Sequence, residues 1–130
     1  MKLFNVVFLL FLSFCAAAQY PDNIYPDTAY TPFWYGVASG DPLQDRVIIW
    51  TKVQMPAGSK EAVNLLWEVA ADSSFKNIIN KGNVSAGAEH DYTAKVDVDW
   101  LKAGSPYFYR FTSPDGKVSQ TGRALTLPDD

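Results

Sequence analysis

Cysteine and histidine are scarce in this sequence of 130 residues, which contains one of each, Cys15 and His90. Because transition-metal sites in proteins draw mainly on these two residue types, a site with several such ligands is excluded. His90 lies between Glu89 and Asp91, and adjacent side chains on an extended chain point to opposite faces. We therefore interpret His90 as a solvated turn residue and predict no metal ligand in this chain.

Positive charge is also limited. Eleven Lys and Arg residues stand against fourteen Asp and Glu residues, which gives a formal net charge of −3, and no basic run interrupts the chain. Proteins hold nucleic acids largely through cationic contacts to the phosphates. The composition therefore argues against a nucleic-acid partner.

Catalytic patterns are missing as well. Ser39 lies in Ala38-Ser39-Gly40, which is not the Gly-x-Ser-x-Gly elbow of a serine hydrolase. Arg110 and Arg123 are isolated arginines at strand positions, where such residues usually form surface pairs. The residues by themselves assign no catalytic or cofactor-binding group and indicate a binding or structural module.

The longest apolar run lies at the N-terminus. Val6 to Phe14 is apolar apart from Ser13, follows the positive start Met1-Lys2, and precedes an A-x-A-like cleavage site at 16–18. We predict that residues 1–18 are a signal peptide, so that the protein is secreted or periplasmic. The run falls short of the about 20 residues of a membrane-spanning helix, so a retained membrane anchor is a weaker alternative, and no membrane contact is expected after cleavage. Lipidation at Cys15 is the weaker alternative, because bulky Phe14 stands where a small residue is expected.

Removal of the signal peptide takes Cys15 with it, so the remaining 112 residues contain no disulfide. Packing must then stabilise a single domain. Residues 19–32 are rich in Tyr, Pro and Asp and are predicted to form an extended arm. This arm is either a solvated linker or, through tyrosines such as Tyr25 and Tyr30, a contact surface.

Residues 33–127 alternate short apolar segments with turn signals such as Ser39-Gly40-Asp41-Pro42 and Ser113-Pro114-Asp115-Gly116. About seven strands at this spacing, without an amphipathic helix, indicate an all-β sandwich of the fibronectin type III or immunoglobulin-like kind. We expect a first strand from Phe33 to Ala38, a strand near Ile78 to Val84 broken at Gly82, and a last strand from Val118 to Leu127. The predicted core is Val37, Val47, Ile49, Trp50, Leu65, Trp67, Val69, Val96, Val98, Leu101, Tyr107, Tyr109 and Phe111.

One tyrosine has a specific predicted role. Tyr107 follows Leu101 and the turn Gly104-Ser105-Pro106, and it opens an alternating aromatic strand. Sandwich domains often place a buried tyrosine after such a corner, with its hydroxyl bonded to upstream backbone. We predict a tyrosine corner at Tyr107, the alternative being an ordinary aromatic strand after a turn.

Two stretches carry a family resemblance. Phe33 to Pro42 reads Phe-Trp-Tyr-Gly-Val-Ala-Ser-Gly-Asp-Pro, and Asp45 to Val53 reads Asp-Arg-Val-Ile-Ile-Trp-Thr-Lys-Val. With Tyr-Phe-Tyr-Arg-Phe at 107–111 and Gly-Arg at 122–123, they resemble the N-terminal domain of PhoD-type alkaline phosphatases/phosphodiesterases, also labelled a phospholipase D N-terminal domain. The resemblance covers essentially the whole chain after residue 18.

The resemblance implies a non-catalytic β-sandwich placed before a larger metallophosphatase domain that binds metal ions of the iron and calcium type. None of that domain's metal ligands falls on residues 1–130, and residues 128–130 would begin the linker to it. Two features of the sequence depart from the family pattern. The chain lacks a twin-arginine export signal, and Lys52 stands where family members often have arginine.

The sequence leaves three functions open, and each predicts different contact residues. The loop around Asp41 and Asp45 is a candidate docking site for the downstream domain, with plain turn residues as the alternative. The rival function is a stand-alone secreted adhesion or carbohydrate-binding module with a ligand at Trp34, Tyr35 or Trp100. A small self-sufficient hydrolase is the third possibility, and the missing catalytic groups argue against it.

Overall fold

The computed structural model describes residues 27–129 of the chain, which form seven strands and two short 3-10 helices. The helices are Thr28–Tyr30 and Ala88–His90. The strands in chain order are β1 (Val37–Gly40), β2 (Val47–Lys52), β3 (Val63–Ala70), β4 (Ile78–Ala86), β5 (Thr93–Val98), β6 (Pro106–Thr112) and β7 (Gly122–Leu125).

The strands build two antiparallel sheets. One has three strands in the order β1-β2-β5, and the other has four in the order β4-β3-β6-β7. Side chains from the inner faces of both sheets share one apolar core. The predicted all-β sandwich is confirmed, and this three-plus-four strand order is that of a fibronectin type III-like domain.

Period-2 alternation explains which face each strand buries. In β6, Tyr107, Tyr109 and Phe111 are buried while Phe108 and Arg110 point to the outer face. In β3, Leu65, Trp67 and Val69 are likewise buried. The predicted core members Val47, Ile49, Val98 and Leu101 are also buried, and Val37 and Val96 pack against the core while remaining partly exposed.

Trp50 corrects the predicted core. Its side chain is 42% exposed, although the apolar run of β2 predicted a strand covered on both faces. Trp50 pairs with Ala38 and Lys95, and all three lie on the outer face of the three-stranded sheet, whereas Ile49 points inward. Because neighbouring residues of a strand face opposite sides, only one of Ile49 and Trp50 can face the core, and the core lies on the side of Ile49.

Phe33 is fully buried in the core, and the sequence pattern did not assign it there. The predicted first strand from Phe33 to Ala38 was wrong at its start, because β1 begins only at Val37. Phe33 lies instead in an irregular segment before β1. The backbone N–H of Phe33 donates a hydrogen bond to the carbonyl of Tyr30 at 2.6 Å.

Two further strand predictions need correction. β4 is continuous over nine residues and is not broken at Gly82. Gly82 faces Trp67 across the sheet, and an added Cβ would lie 2.9 Å from the indole Cζ2, so the glycine makes room for the ring. The last strand is shorter than predicted, with β7 limited to Gly122–Leu125 and Val118 forming an isolated bridge to Thr112.

The predicted arm is only partly described. Residues 1–26, which include the predicted signal peptide and Tyr25, lie outside the described residues. Thr28–Tyr30 form a 3-10 helix, so the prediction of an extended chain was wrong there. Asp27 caps this helix by accepting from the N–H of Ala29 at 3.1 Å, and the carbonyl of Pro32 accepts from the N–H of Gln54 at 2.7 Å. The segment is therefore held against the end of β2.

The chain enters and leaves the sandwich at opposite ends. At the entry end, Val37 pairs with Thr51 near the end of β2. At the exit end, the β1–β2 loop (41–46), the β5–β6 loop (99–105) and the segment 126–129 after β7 come together. The six residues of β2 span about 20 Å between the two ends, at roughly 3.4 Å per residue.

Candidate docking surface

Backbone hydrogen bonds join the three segments of the exit end. The N–H of Leu127 donates to the carbonyl of Leu43 at 3.0 Å, and the N–H of Gly104 donates to the carbonyl of Leu127 at 2.8 Å. The N–H of Leu101 donates to the carbonyl of Asp45 at 2.8 Å. The segment after β7 is thus bonded on both sides before the chain leaves the sandwich.

Thr126 fixes the same segment through its side chain. It is buried, and its hydroxyl donates to the carbonyl of Lys102 at 2.7 Å while accepting from the N–H of Ser105 at 3.0 Å. Two residues further along, the side-chain amide of Gln44 donates to the carbonyl of Pro128 at 3.3 Å. The backbone is therefore held in place as far as Pro128.

A groove of about 720 Å³ opens at the exit end. Its walls come from all three segments and include both apolar and polar side chains. The lining residues are Leu43, Gln44, Asp45, Leu101, Ala103, Leu127, Pro128 and Asp129. This is a surface groove without a concentration of titratable groups, and its shape and composition suit a protein contact rather than chemistry.

Large apolar side chains at the exit end are exposed to solvent. Leu43 is 51% exposed, Leu127 46% and Trp100 88%. Trp100 immediately precedes Leu101, which is buried and lines the groove. The backbone φ of Trp100 is +59°, a left-handed conformation that is unfavourable for a bulky side chain. The indole of Trp100 therefore points to solvent, and the backbone at this residue is strained.

The predicted docking residues are separated by the structure. Asp45 lines the exit groove, and its carboxylate accepts from Nε of Arg46 at 3.3 Å. The hydrogen bond and the charge of Asp45 raise the pKa of Arg46, whose guanidinium also pairs with Asp97 at 3.3 Å. Asp41 lines a different hollow, on the outer face of the three-stranded sheet, and Tyr30 lies at the entry end.

That second hollow has a volume of about 300 Å³ and surrounds the exposed side of Trp50. It is lined by Gly40, Asp41, Ile48, Trp50, Thr93 and Lys95. The outer face of the four-stranded sheet is more closely covered. There Arg110 donates to Glu68 at 2.8 Å, and its guanidinium lies 4.1 Å from the ring centroid of Phe75.

The aromatic residues named for a carbohydrate-binding module do not share a surface. Trp34 and Tyr35 lie at the entry end, about 20 Å from the exit end that carries Trp100. The indole N–H of Trp34 donates to the hydroxyl of Thr31 at 2.8 Å, and the hydroxyl of Tyr35 donates to Gln54 at 3.1 Å. These side chains are bonded to their own chain and do not form a single platform with Trp100.

The described residues do not fit a metal centre. Between residues 27 and 129, no group of three or more His, Cys, Asp or Glu side chains is placed to hold an ion. His90 is exposed at the end of the 3-10 helix Ala88–His90. In the same part of the chain, no helix has the length and apolar character needed to cross a membrane.

The sequence is similar to a known protein family and to a curated protein. The sequence profile of the family described as "PhoD-like phosphatase, N-terminal domain" matches residues 17–128. The chain is 38% identical over 114 residues to "Alkaline phosphatase D" of Bacillus subtilis (strain 168), covering 82% of this chain and 19% of that protein. The chain therefore spans about a fifth of the length of this curated relative.

Two solved structures are also similar. The one titled "Structure of PhoD" superimposes with a TM-score of 0.73 at 38% identity, over 80% of this chain and 21% of that one. The fn3 domain of the human collagen alpha-1(XX) chain gives a TM-score of 0.46 at 17% identity, over 73% of this chain and 81% of that domain.

Sequence reasoning identified Asp45 at the exit end but missed the groove beside it. Leu43 was not singled out, because a leucine in a polar loop carries no periodicity. Thr126 was assigned only to the last strand, although its hydroxyl joins the segment after β7 to the β5–β6 loop. The one available signal was the pair Trp100-Leu101 at the start of a turn, where two large apolar residues cannot both face the core.

Proposed function

The chain belongs to the PhoD-like phosphatase N-terminal domain family, and on that premise we propose that it is the non-catalytic N-terminal sandwich of an exported phosphoester hydrolase. The observation that carries the proposal is the combination of a match over residues 17–128 with coverage of only 19% of the relative called alkaline phosphatase D. The greater part of such an enzyme lies outside this domain.

The chemistry of the described residues supports a non-catalytic role. Hydrolysis of a phosphoester needs groups that stabilise the charge of the transferring phosphoryl group and activate a nucleophile. Arg110, one of the two arginines that the sequence offered as an anion ligand, is engaged by Glu68 and Phe75 on the outer face of the four-stranded sheet. Metal ions that assist hydrolysis would belong to the downstream domain.

We also propose export through the general secretory route, with cleavage after residue 18 and a secreted or periplasmic product. The pattern of a positive start, an apolar run and small residues supports this proposal. Since that route carries an unfolded chain, the metal ions of the full enzyme would bind after export. N-terminal sequencing of the native product should begin at Gln19, and metal bound to a cytoplasmic precursor would contradict the order of events.

An activity assay tests the proposed function. Residues 19–130 and the native exported protein are compared on bis(p-nitrophenyl) phosphate, with and without a metal chelator. We expect hydrolysis by the native protein that the chelator abolishes, and none by residues 19–130. Metal-dependent hydrolysis by residues 19–130 alone would overturn the proposal in favour of a small self-sufficient enzyme.

A further inference from the structure

On the proposed function, the exit end is the side of the sandwich to which the downstream domain is joined. The family is by description an N-terminal domain, so further sequence joins its C-terminal side. Pro128 and Asp129 line the exit groove themselves. Whatever follows residue 130 therefore starts within a few residues of this groove.

The geometry of the exit restricts where the following residues can go. Thr126 is bonded through its hydroxyl, Leu127 through its N–H and carbonyl, and Pro128 through its carbonyl. These bonds fix the direction of the chain at the groove instead of leaving a flexible tether. The part of the polypeptide that follows therefore starts at the exit end of the sandwich.

Trp100 is the side chain of this surface that the sandwich does not use. It is 88% exposed and sits at a φ of +59°, so it adds no burial and carries backbone strain. Trp100 is not part of the groove lining but directly precedes Leu101, which is. Tryptophan is enriched among the residues that contribute most to binding at protein interfaces. Leu43 and Leu127 extend the apolar area around the same groove.

We propose that the downstream domain docks on the exit groove, with Trp100 as its anchor and Leu43 and Leu127 as neighbouring contacts. This inference rests on the proposed function, since it takes its occupant from the family assignment. The occupant is the remainder of the same polypeptide, covering the exposed side chains of Trp100, Leu43 and Leu127.

The other apolar surface makes a poorer docking site for that domain. Trp50 is less exposed, at 42%, and its face is edged by Lys95 and by the Arg46–Asp97 ion pair. The entry end lies about 20 Å from the exit. Trp50 therefore provides a matched control, since it is an exposed tryptophan of the same domain on a different surface.

The experiment uses the full-length protein and compares Trp100→Gly with Trp50→Thr. Glycine suits the left-handed backbone at position 100 and threonine suits a strand, so both variants should fold. The measurement is the rate of limited proteolysis in the connection after residue 130. We expect a rate roughly tenfold higher in Trp100→Gly and an unchanged rate in Trp50→Thr, the size expected for loss of an interface anchor. Leu43→Lys should behave like Trp100→Gly.

An unchanged rate in Trp100→Gly, or an equal increase in Trp50→Thr, would overturn the docking site. Hydrolysis of bis(p-nitrophenyl) phosphate is measured on the same samples to separate the two proposals. Activity with unchanged proteolysis would reject the docking site alone. The predicted proteolysis without any activity in the full-length protein would reject the proposed function and leave the contact standing.

Discussion

The hydroxyl of Tyr107 accepts a hydrogen bond from the backbone N–H of Lys102 at 2.8 Å. The ring of Tyr107 is buried in the core, so this bond ties the β5–β6 loop to the first buried position of β6. It is the tyrosine-corner arrangement that the turn before Tyr107 predicts. The loop that it holds carries Trp100 and Leu101 and forms one wall of the exit groove.

Replacing Tyr107 by phenylalanine keeps the ring and removes this bond. The N–H of Lys102 then loses its partner, which should lower the free energy of unfolding of residues 19–130 by about 1–2 kcal/mol. Urea denaturation measures the loss, and Tyr35→Phe at an exposed position should change stability by less than about 0.5 kcal/mol. Equal stability of Tyr107→Phe and the parent would mean that the bond does not stabilise the corner.

Gly122 gives a second test of the packing. A Cβ built there would lie 2.1 Å from Cζ of Tyr109, whose ring is buried in the core. Gly122→Ala should therefore force the ring to move and destabilise the domain by roughly 1–3 kcal/mol.

Gly40→Ala is the matched control for Gly122→Ala. It is also a strand glycine, but a Cβ there would meet nothing within 4 Å. Its midpoint in thermal denaturation should stay close to that of the parent. A similar loss in both variants would show that the cost arises from the loss of glycine itself and not from Tyr109.

Trp100 allows backbone strain to be separated from side-chain loss. Trp100→Gly and Trp100→Ala both remove the indole, but only glycine adopts a φ of +59° freely. In residues 19–130 we expect the glycine variant to be more stable than the alanine variant by about 0.5–1 kcal/mol, measured by urea denaturation. An alanine variant as stable as the glycine variant would show that position 100 is not strained.

The carboxylate of Asp72 should make the stability of the loop between β3 and β4 depend on pH in acid. Its carboxylate accepts from the hydroxyl of Ser74 and from the N–H of Asn77 at 2.8 Å, and these bonds lower its pKa from 3.8 to about 2. Since the folded pKa lies below the unfolded one, the stabilisation is fully present above about pH 4 and is lost as the pH falls toward 2.

Asp72→Asn removes the titrating group and should flatten this part of the stability profile. Urea midpoints of parent and variant between pH 2 and pH 6 give the comparison, with the difference largest near pH 6 and smallest near pH 2. Asp27→Asn is a suitable control, because it alters another exposed capping carboxylate. A difference that does not depend on pH would contradict the role of the charge.

The strand pattern and the tyrosine corner could be predicted because they depend on local sequence. A turn followed by strict alternation determines which side of β6 is buried, whatever the rest of the chain does. Trp50 could not be placed in this way, since the hydrophobicity of β2 does not tell which of its faces another sheet covers. Its exposure follows from the three-plus-four arrangement of the strands.

The exit groove was harder to predict for a related reason. Asp45 could be predicted because it lies in a loop rich in turn-forming residues, and such loops often carry contacts. The groove could not, because it is formed by three segments that are far apart in the sequence. Trp100 and Leu101 are neighbours with opposite environments, and the left-handed backbone at Trp100 is what separates them. Such a conformation at a non-glycine residue has no signal in the sequence.

The intact mass of the native protein tests the central claim most directly. If the chain is the N-terminal domain of a larger phosphoester hydrolase, the mass should be several times that of residues 19–130, in keeping with the 19–21% of the relatives' length that it covers. A mass equal to that of residues 19–130 would contradict the account, and the protein would then be a separate module whose ligand should be sought in place of an enzymatic activity.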